Sequence, residues 1–416
     1  MSRLIHHLRR ATTHVLLAAG LTTASAAAVA DVVTEWNVIA FDTMKAANMG
    51  GAPGARLLAI MHVAMADAVN TVQNQHQRLV HRAALQPQAS ADAAAAGAAR
   101  TVLVGLLPAQ KARVDESFFA SVAALPGGAA RDAGAAIGTE AATAVLADRA
   151  NDNSSVPDTY RPVTTPGAWI PTTPPLTAEY ARVRPWGFDR PEQFRPGPPP
   201  ALKSEQYARD YNETKALGSA RSTQRTPQQS ELVKFWSQPN IMLAWYQAAR
   251  QLTVARGLGL ADSSRLFAIM GMAMANTFIV DWDAKFHYNY WRPVTAIRNG
   301  DNDGNDATER DAGWASANAT PMHPEYPSQA AIIAGAGATT LATVLNTAAP
   351  GPIVVTDGAD PKLARTYADV ATLAEEQRFV RILGGIHFRT SLETSDRMGQ
   401  AIVRHLVAQT YRPAQR

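Results

Sequence analysis

Three separated segments in the second half of the chain carry residues that suit the binding of a tetrahedral oxyanion. The first contains Lys285 and Arg292, which are seven residues apart and so lie two turns along one face of a predicted helix. The second places Ser328 at the start of a helix, where free N–H groups and the helix dipole attract anions. The third contains Arg381 and His387 on either side of a glycine pair. Together they supply charged donors for oxygens and an imidazole nitrogen for a central atom.

Each of these features also has an ordinary structural interpretation. The two basic residues of the first segment are typical of a solvated helix face, Ser328 of an N-cap, and His387 of a histidine packed after a helix end. The combination favours an oxyanion site over three unrelated features. Spacing along the chain does not establish that the three segments meet in space.

Helical periodicity accounts for most of the elements that would position these residues. His62 lies inside one apolar helical stripe, so it is interpreted as a core histidine rather than a ligand. No alternating strand pattern is longer than a few residues, and the sequence therefore predicts an all-α fold of helical bundles. Helical patterns cover residues 36–72, 90–107, 109–123, 130–149, 227–257, 262–291, 327–345, 362–383 and 391–410.

The chain divides into four predicted regions. Residues 1–30 have the basic start, short apolar core and Ala28-Val29-Ala30 cleavage site of a secretory signal peptide. Residues 31–155 form an N-terminal helical region, 156–226 a proline-rich extended connection, and 227–416 a C-terminal catalytic helical bundle. A long connection of this kind is often functional, and we expect it to wall a pocket.

Composition narrows the classes of function. The net charge of +4 is modest, and no run of basic residues indicates a nucleic-acid partner. The absence of cysteine excludes disulfides and thiolate chemistry. No stretch after residue 30 is predicted to be long and apolar enough to span a membrane, so the mature chain is expected to be periplasmic or secreted. Oligomeric state is left open.

The combined motif resembles the vanadium-dependent haloperoxidase and type-2 phosphatidic acid phosphatase superfamily. Lys285-x6-Arg292-Pro293, Pro327-Ser328 and Arg381-x5-His387 reproduce the order and spacing of its three-part motif. The sequences that flank these residues, and the segment from His62 to Asn70, are similar to the bacterial haloperoxidase-related branch. The resemblance covers most of the mature chain and implies the helical-bundle fold of that superfamily.

The resemblance also implies roles for the motif residues. Three cations, Lys285, Arg292 and Arg381, would neutralise the oxygens of vanadate or of a phosphoryl group. Ser328 and the backbone N–H of Gln329 would add hydrogen bonds. His387 would be the axial vanadate ligand of a peroxidase that uses hydrogen peroxide and halide. In a phosphatase the same histidine would be the nucleophile that forms a phospho-histidine.

The chain departs from the family pattern where protons are transferred. The family usually reads Pro-Ser-Gly-His in the second segment, whereas here Gln329 and Ala330 follow the serine, so the usual acid–base histidine is missing. Such a group typically contributes on the order of 10²–10⁴ in rate. Ser391 stands where an acidic partner of the axial histidine is often found, and Val380 where serine is common.

Three residues beside the motif are candidates to replace the missing acid–base group, namely His287, His323 and Glu325. The functions that stay open are a vanadate-dependent haloperoxidase, a phosphomonoester or lipid-phosphate phosphatase, and a non-catalytic oxyanion-binding protein. The local sequence of all three segments favours the haloperoxidase. The expected cofactor is vanadate, or phosphate bound in the same site.

Overall fold

The computed structural model describes residues 31–171, 173–237, 241–346, 350–356, 360 and 362–415. The predicted signal peptide, residues 1–30, lies outside the described residues.

The N-terminal region is helical, as predicted. The pattern over residues 36–72 is divided between two helices, because Asn48 and Gly51 take left-handed backbone conformations with φ of 51° and 57°. The Asp31 side chain caps the first helix by accepting from the N–H of Thr34. The helices are α1 (Val32–Ala46), α2 (Gly51–Gln73), α3 (Ala91–Leu106), α4 (Lys111–Ala123) and α5 (Ala129–Asp148).

The proline-rich connection is irregular over most of its length but does not stay extended to its end. Helix α6 (Glu205–Leu217) lies inside the range predicted to be extended, 156–226. No proline occurs between Ala201 and Leu217, and the Ser204 hydroxyl caps the helix by accepting from the N–H of Tyr207. Proline density therefore predicted the irregular part and overstated its length.

The C-terminal region is a second set of helices with one small hairpin. Strands β1 (Pro350–Thr356) and β2 (Ala364–Asp369) pair antiparallel, so the helix predicted from Lys362 begins only at Val370. A threonine and a tyrosine in the second strand favour extended structure over helix. The helices are α7 (Pro227–Phe235), α8 (Ile241–Arg256), α9 (Leu260–Tyr288), α10 (Pro293–Arg298), α11 (Gln329–Val344), α12 (Val370–Leu383) and α13 (Arg389–Gln409).

Close helix contacts fix the positions of the motif segments. Helix α11 packs against α9, α12 and α13. A Cβ atom on Gly399 of α13 would lie 2.3 Å from the Ile332 carbonyl oxygen of α11, and one on Gly335 would lie 2.4 Å from the Asp396 carbonyl oxygen. Because only glycine allows this approach, the first half of α11 is held against the middle of α13. One hydrophobic cluster includes residues of both the N-terminal and the C-terminal helices.

The prediction that no stretch after residue 30 is long and apolar enough to cross a membrane is wrong for two helices. Helices α2 and α9 meet that condition by length and composition, with 23 and 29 residues. In each, 94% of the apolar window is buried inside the protein. These two helices pack on each other, as core helices of a folded protein do.

Candidate active site

The three motif segments converge on one site. Lys285 lies in the last turn of α9, Arg292 caps α10, and Ser328 is the N-cap residue of α11. Arg381 lies in the last turn of α12, and His387 lies in the short turn between α12 and α13. All five side chains are buried, with at most 7% of each exposed. The packing of α9, α11, α12 and α13 therefore supplies the convergence that sequence spacing could not.

Lys285 holds the second segment in place from behind. Its ammonium group donates hydrogen bonds to the carbonyl oxygens of Pro324 (2.9 Å), Glu325 (3.0 Å) and Pro327. Asp281 lies 3.6 Å away and partly balances the buried charge. Its three hydrogens are directed at main-chain oxygens, so in this arrangement Lys285 acts on an anion through its charge and through the position of Ser328.

Arg292 connects the third segment to the second. Its guanidinium donates to the carbonyl oxygens of His323 (3.0 Å) and Ile386 (2.7 Å). It also lies within hydrogen-bond distance of Nε2 of His387 (3.2 Å) and Nδ1 of His323 (3.1 Å). Arginine can only donate, so Nε2 of His387 carries a lone pair and its Nδ1 carries the proton. Nδ1 of His323 faces both this donor and, at 3.3 Å, the carbonyl oxygen of Pro324.

Glu325 orients the ring of His387. This role was not predicted from the sequence, which offered Glu325 only as a candidate acid–base group. Its Oε1 lies 2.8 Å from Nδ1 of His387 and accepts from the N–H of Phe388 at 2.9 Å. Its Oε2 accepts from the hydroxyl of Ser391 at 2.7 Å. The carboxylate expected at position 391 is therefore supplied from the second segment, and Ser391 supports it. Ser391 thus binds Glu325 and not His387 itself.

The protonation of His387 follows from these contacts. Glu325 accepts from Nδ1–H, so the lone pair of the ring is on Nε2. Arg292 Nη1 lies 3.2 Å from this nitrogen, and a ligand atom bound to Nε2 would replace that contact. Burial, and then the charges of Arg292 and Lys285, lower the pKa of His387 well below its ordinary value. Burial raises the pKa of Glu325 to about 7, against its hydrogen bonds from Phe388 and Ser391. The histidine is neutral, as a metal ligand or nucleophile must be.

Unpaired polar atoms mark the opposite side of the site. The Ser328 hydroxyl and both side-chain polar atoms of Gln329 are buried and have no hydrogen-bond partner among the residues that the structure describes. Arg381 donates to the carbonyl oxygens of Trp236 (3.1 Å) and Gln377 (3.4 Å), and its guanidinium lines the same cavity as Gln329 and His387. Buried polar groups without partners are costly, which points to a polar ligand at this position.

The three candidates for the missing acid–base group lie in different places. His287 is exposed and near Arg195 (3.3 Å), and it does not line the cavity. Glu325 is on the far side of the His387 ring. His323 lines the cavity together with Ala330, and its ring packs against Trp282 with centroids 4.9 Å apart.

The cavity has a volume of about 720 Å³ and opens to solvent. Its walls come from α7 and the stretch 317–321, and no described residue of 156–200 contributes. Ala220 and Arg225, at the end of the predicted connection 156–226, do line the cavity, so only that end of the connection walls the pocket. The residues that line it are Ala220, Arg225, Ser230, Val233, Lys234, Trp236, Ser237, Ile241, Ala317, Asn318, Ala319, Pro321, His323, Gln329, Ala330, Arg381, Ile386 and His387.

Comparison with known proteins agrees with this geometry. Residues 265–415, which contain all three segments, match the family model described as the VCPO second helical-bundle domain. A vanadium chloroperoxidase of Curvularia inaequalis is 26% identical over a match that covers 35% of this chain and 28% of that protein. The chain thus spans little more than a quarter of that curated relative.

Solved structures extend the likeness to almost the whole chain. A bacterial vanadium-dependent iodoperoxidase superposes with a TM-score of 0.77 at 20% identity, over 92% of this chain and 98% of the other. A holo-type bacterial vanadium-dependent chloroperoxidase superposes with a TM-score of 0.68 at 17% identity, over 91% and 92%. At these identities the superpositions show the shared fold.

The helical-bundle fold and the converging motif define the class. Residues 265–415 are similar to the VCPO second helical-bundle domain, and almost the whole chain shares the fold of bacterial vanadium-dependent haloperoxidases. Its C-terminal bundle is related to the second bundle of vanadium chloroperoxidases.

The residues present fit a tetrahedral oxyanion such as vanadate or phosphate. Arg292 and Arg381 are buried cations beside His387, and the unpaired hydroxyl of Ser328 is a donor at the start of α11. The Nε2 atom of His387 would offer its lone pair to the central atom of such an ion. The family's usual histidine is absent, because position 330 is alanine. His323 lines the same cavity as Ala330.

Proposed function

We propose that this protein is a vanadate-dependent haloperoxidase that oxidises halide with hydrogen peroxide. The observation that carries the proposal is the orientation of His387. Glu325 binds its Nδ1, and its Nε2 lone pair lies beside Arg292, in a cavity with Arg381 and the start of α11. That arrangement presents one ligand nitrogen and several donors to a single tetrahedral group.

Each residue then has a defined part. His387 Nε2 would bind the central atom, while Arg292, Arg381, Ser328 and the N–H of Gln329 would bind its oxygens. Lys285 would add positive charge and hold the main chain of residues 324–327 in place. Bound vanadate would supply the Lewis acid that activates hydrogen peroxide toward attack by halide.

His323 is proposed as the residue that donates and accepts protons in place of Ala330. Nδ1 of His323 contacts Arg292 at 3.1 Å and the Pro324 carbonyl oxygen at 3.3 Å, which leaves Nε2 as the nitrogen that would exchange a proton with a bound ligand. Packing against Trp282 fixes the plane of the ring. Burial, and then the charges of Lys285 and Arg292, lower the pKa of His323 well below its ordinary value, which keeps the free ring neutral.

The test is bromide and iodide oxidation by the purified protein with hydrogen peroxide, in phosphate-free buffer, with and without orthovanadate. Turnover that requires vanadate and disappears in His387→Ala is the expected result. Circular dichroism and thermal unfolding of the variant exclude a folding defect as the cause. Absence of turnover with either halide in the vanadate-loaded protein would overturn the proposal.

The same preparations distinguish the two other functions. Release of phosphate from p-nitrophenyl phosphate without vanadate, and its loss in His387→Ala, would establish a phosphatase. Binding of orthovanadate or phosphate with neither reaction would establish a non-catalytic oxyanion-binding protein. Ala330→His restores the family's usual residue and would activate a chain that has lost only its acid–base group.

A further inference from the structure

The cavity above the oxyanion site is too large for an inorganic ion alone. Its volume of about 720 Å³ falls within the range of roughly 300–1,000 Å³ that is typical of pockets for organic ligands. Arg381, Gln329 and His387 are buried at its floor, whereas Lys234 and Ser237 are exposed at its rim. An organic molecule can therefore occupy the space between the floor and the rim.

The charge of the lining is of one sign. Among the described residues that line the cavity, Arg225, Lys234 and Arg381 are cationic, and none is aspartate or glutamate. A cleft lined by one sign of charge concentrates ligands of the opposite sign. The lining therefore favours an anion over a cation of the same shape.

Lys234 is the cation best placed to bind such an anion. It lies on α7, where Ser230, Val233 and Lys234 share one face at spacings of three and four residues and all line the cavity. A capping box between Thr226 and Gln229 fixes the start of this helix. No carboxylate pairs with the Lys234 ammonium among the described residues.

Arg225 supplies charge without being free to move. It donates to the carbonyl oxygens of Leu217 (2.8 Å), Ser219 (3.0 Å) and Leu383 (3.0 Å). These contacts hold the segment before α7 against the end of α12. Arg225 therefore fixes the wall of the cavity, while Lys234 at the rim can follow a ligand.

The middle of the cavity is apolar. Val233, Trp236, Ile241, Pro321 and Ile386 line it between the rim and the floor. The Trp236 ring is held by a hydrogen bond of 2.9 Å from its Nε1 to Glu376, so this wall is rigid.

We infer that this cavity is a binding site for an organic carboxylate with an apolar or aromatic body. The carboxylate pairs with Lys234 at the rim, and the body packs against Trp236 and Ile386. The inference rests on the proposed function only for the role of the ligand as the acceptor of halogen. In that reaction an electron-rich C–H bond and hypohalous acid give a C–halogen bond and water, and the displaced proton leaves in the water.

The experiment measures binding without peroxide, halide or vanadate, so it does not depend on turnover. Titration with 2-naphthoate and with 2-naphthamide, followed by tryptophan fluorescence or calorimetry, compares an anion with a neutral molecule of the same shape. We expect naphthoate to bind roughly five- to tenfold more tightly, as one solvent-facing ion pair and a positive cavity allow. Lys234→Gln should reduce this preference to less than about twofold. Lys203→Gln, an exposed lysine outside the cavity, is the matched control and should leave the preference unchanged.

Two outcomes overturn the inference. Equal binding of the two molecules would show that the cavity does not select charge. A preference that survives in Lys234→Gln, or that saturating phosphate abolishes, would place the carboxylate at Arg381 in the oxyanion site rather than at the rim. A preference that depends on Lys234 and persists in phosphate supports the site, whether or not the protein oxidises halide.

Discussion

Two buried histidines of this protein have similar surroundings and different consequences. His62, in the N-terminal helices, is fully buried, and its Nε2 lies 2.9 Å from the amide nitrogen of Asn37. Arg250 donates to the other end of that amide. His387, in the C-terminal bundle, is 2% exposed and lies between Glu325 and Arg292.

Burial alone does not distinguish them. Burial, and then the charge of Arg250, lower the pKa of His62 to about 3, and burial likewise lowers the pKa of His387. His62 packs against Phe267 and Tyr246 and is not among the cavity-lining residues. His387 faces a solvent-connected cavity with two arginines and unpaired donors. A buried histidine with a nearby arginine becomes a candidate for chemistry only where a cavity and several donors converge on its free nitrogen.

Apart from the loss of turnover expected in His387→Ala, the largest effect on bromide oxidation is expected at His323. His323→Ala should lower bromide oxidation by about 10²–10⁴-fold, because it removes the imidazole that we propose takes the place of the histidine missing at position 330. Ala330→His added to that variant should recover part of the loss. Steady-state rates with saturating orthovanadate test both variants. Full activity of His323→Ala would show that this histidine transfers no proton.

The next largest effect is expected on orthovanadate affinity, from a change in the residue that hydrogen-bonds to His387. Glu325→Gln keeps an acceptor for Nδ1 of His387 but loses the charge, and it should weaken orthovanadate binding by about 10–100-fold. Asn37→Ala is the equivalent change beside His62 and should leave that affinity unchanged. Equilibrium dialysis or ⁵¹V NMR measures both. Equal losses in the two variants would mean that the effect passes through general stability.

The smallest effect on turnover is expected at His62. His62→Gln should keep bromide oxidation within about twofold of the wild type, since the ring is remote from the cavity lining.

The same variant tests the acid dependence of stability. The pKa of His62 is about 3 in the folded chain and about 6.5 when unfolded, so only the unfolded chain takes up its proton between these values. The stability contributed by neutral His62 is therefore lost as pH falls below about 6.5. At pH 4.5 the wild type should have lost up to about 3 kcal/mol through this residue, and His62→Gln should not. Urea unfolding at pH 7 and pH 4.5 measures the difference, and equal losses in both proteins would contradict the assignment.

Sequence periodicity and composition determined most of the local structure. The helical patterns at 90–107, 109–123, 130–149 and 391–410 correspond to α3, α4, α5 and α13 within two residues. They succeeded because a helix depends on residues three and four apart, which are adjacent in the chain. The hairpin of β1 and β2 was missed, because the partner of each strand lies outside its own local pattern.

The sequence also identified the motif residues, because their types, order and spacing can be read directly from the chain. The tertiary structure alone decided their partners. Glu325 reaches His387 across 62 residues, and Lys285 reaches main-chain oxygens about 40 residues away. It also decided that α7 and the end of the predicted connection, rather than residues 156–200, wall the cavity. Such contacts depend on how α9, α11, α12 and α13 pack, and packing joins residues by shape and burial rather than by separation along the chain.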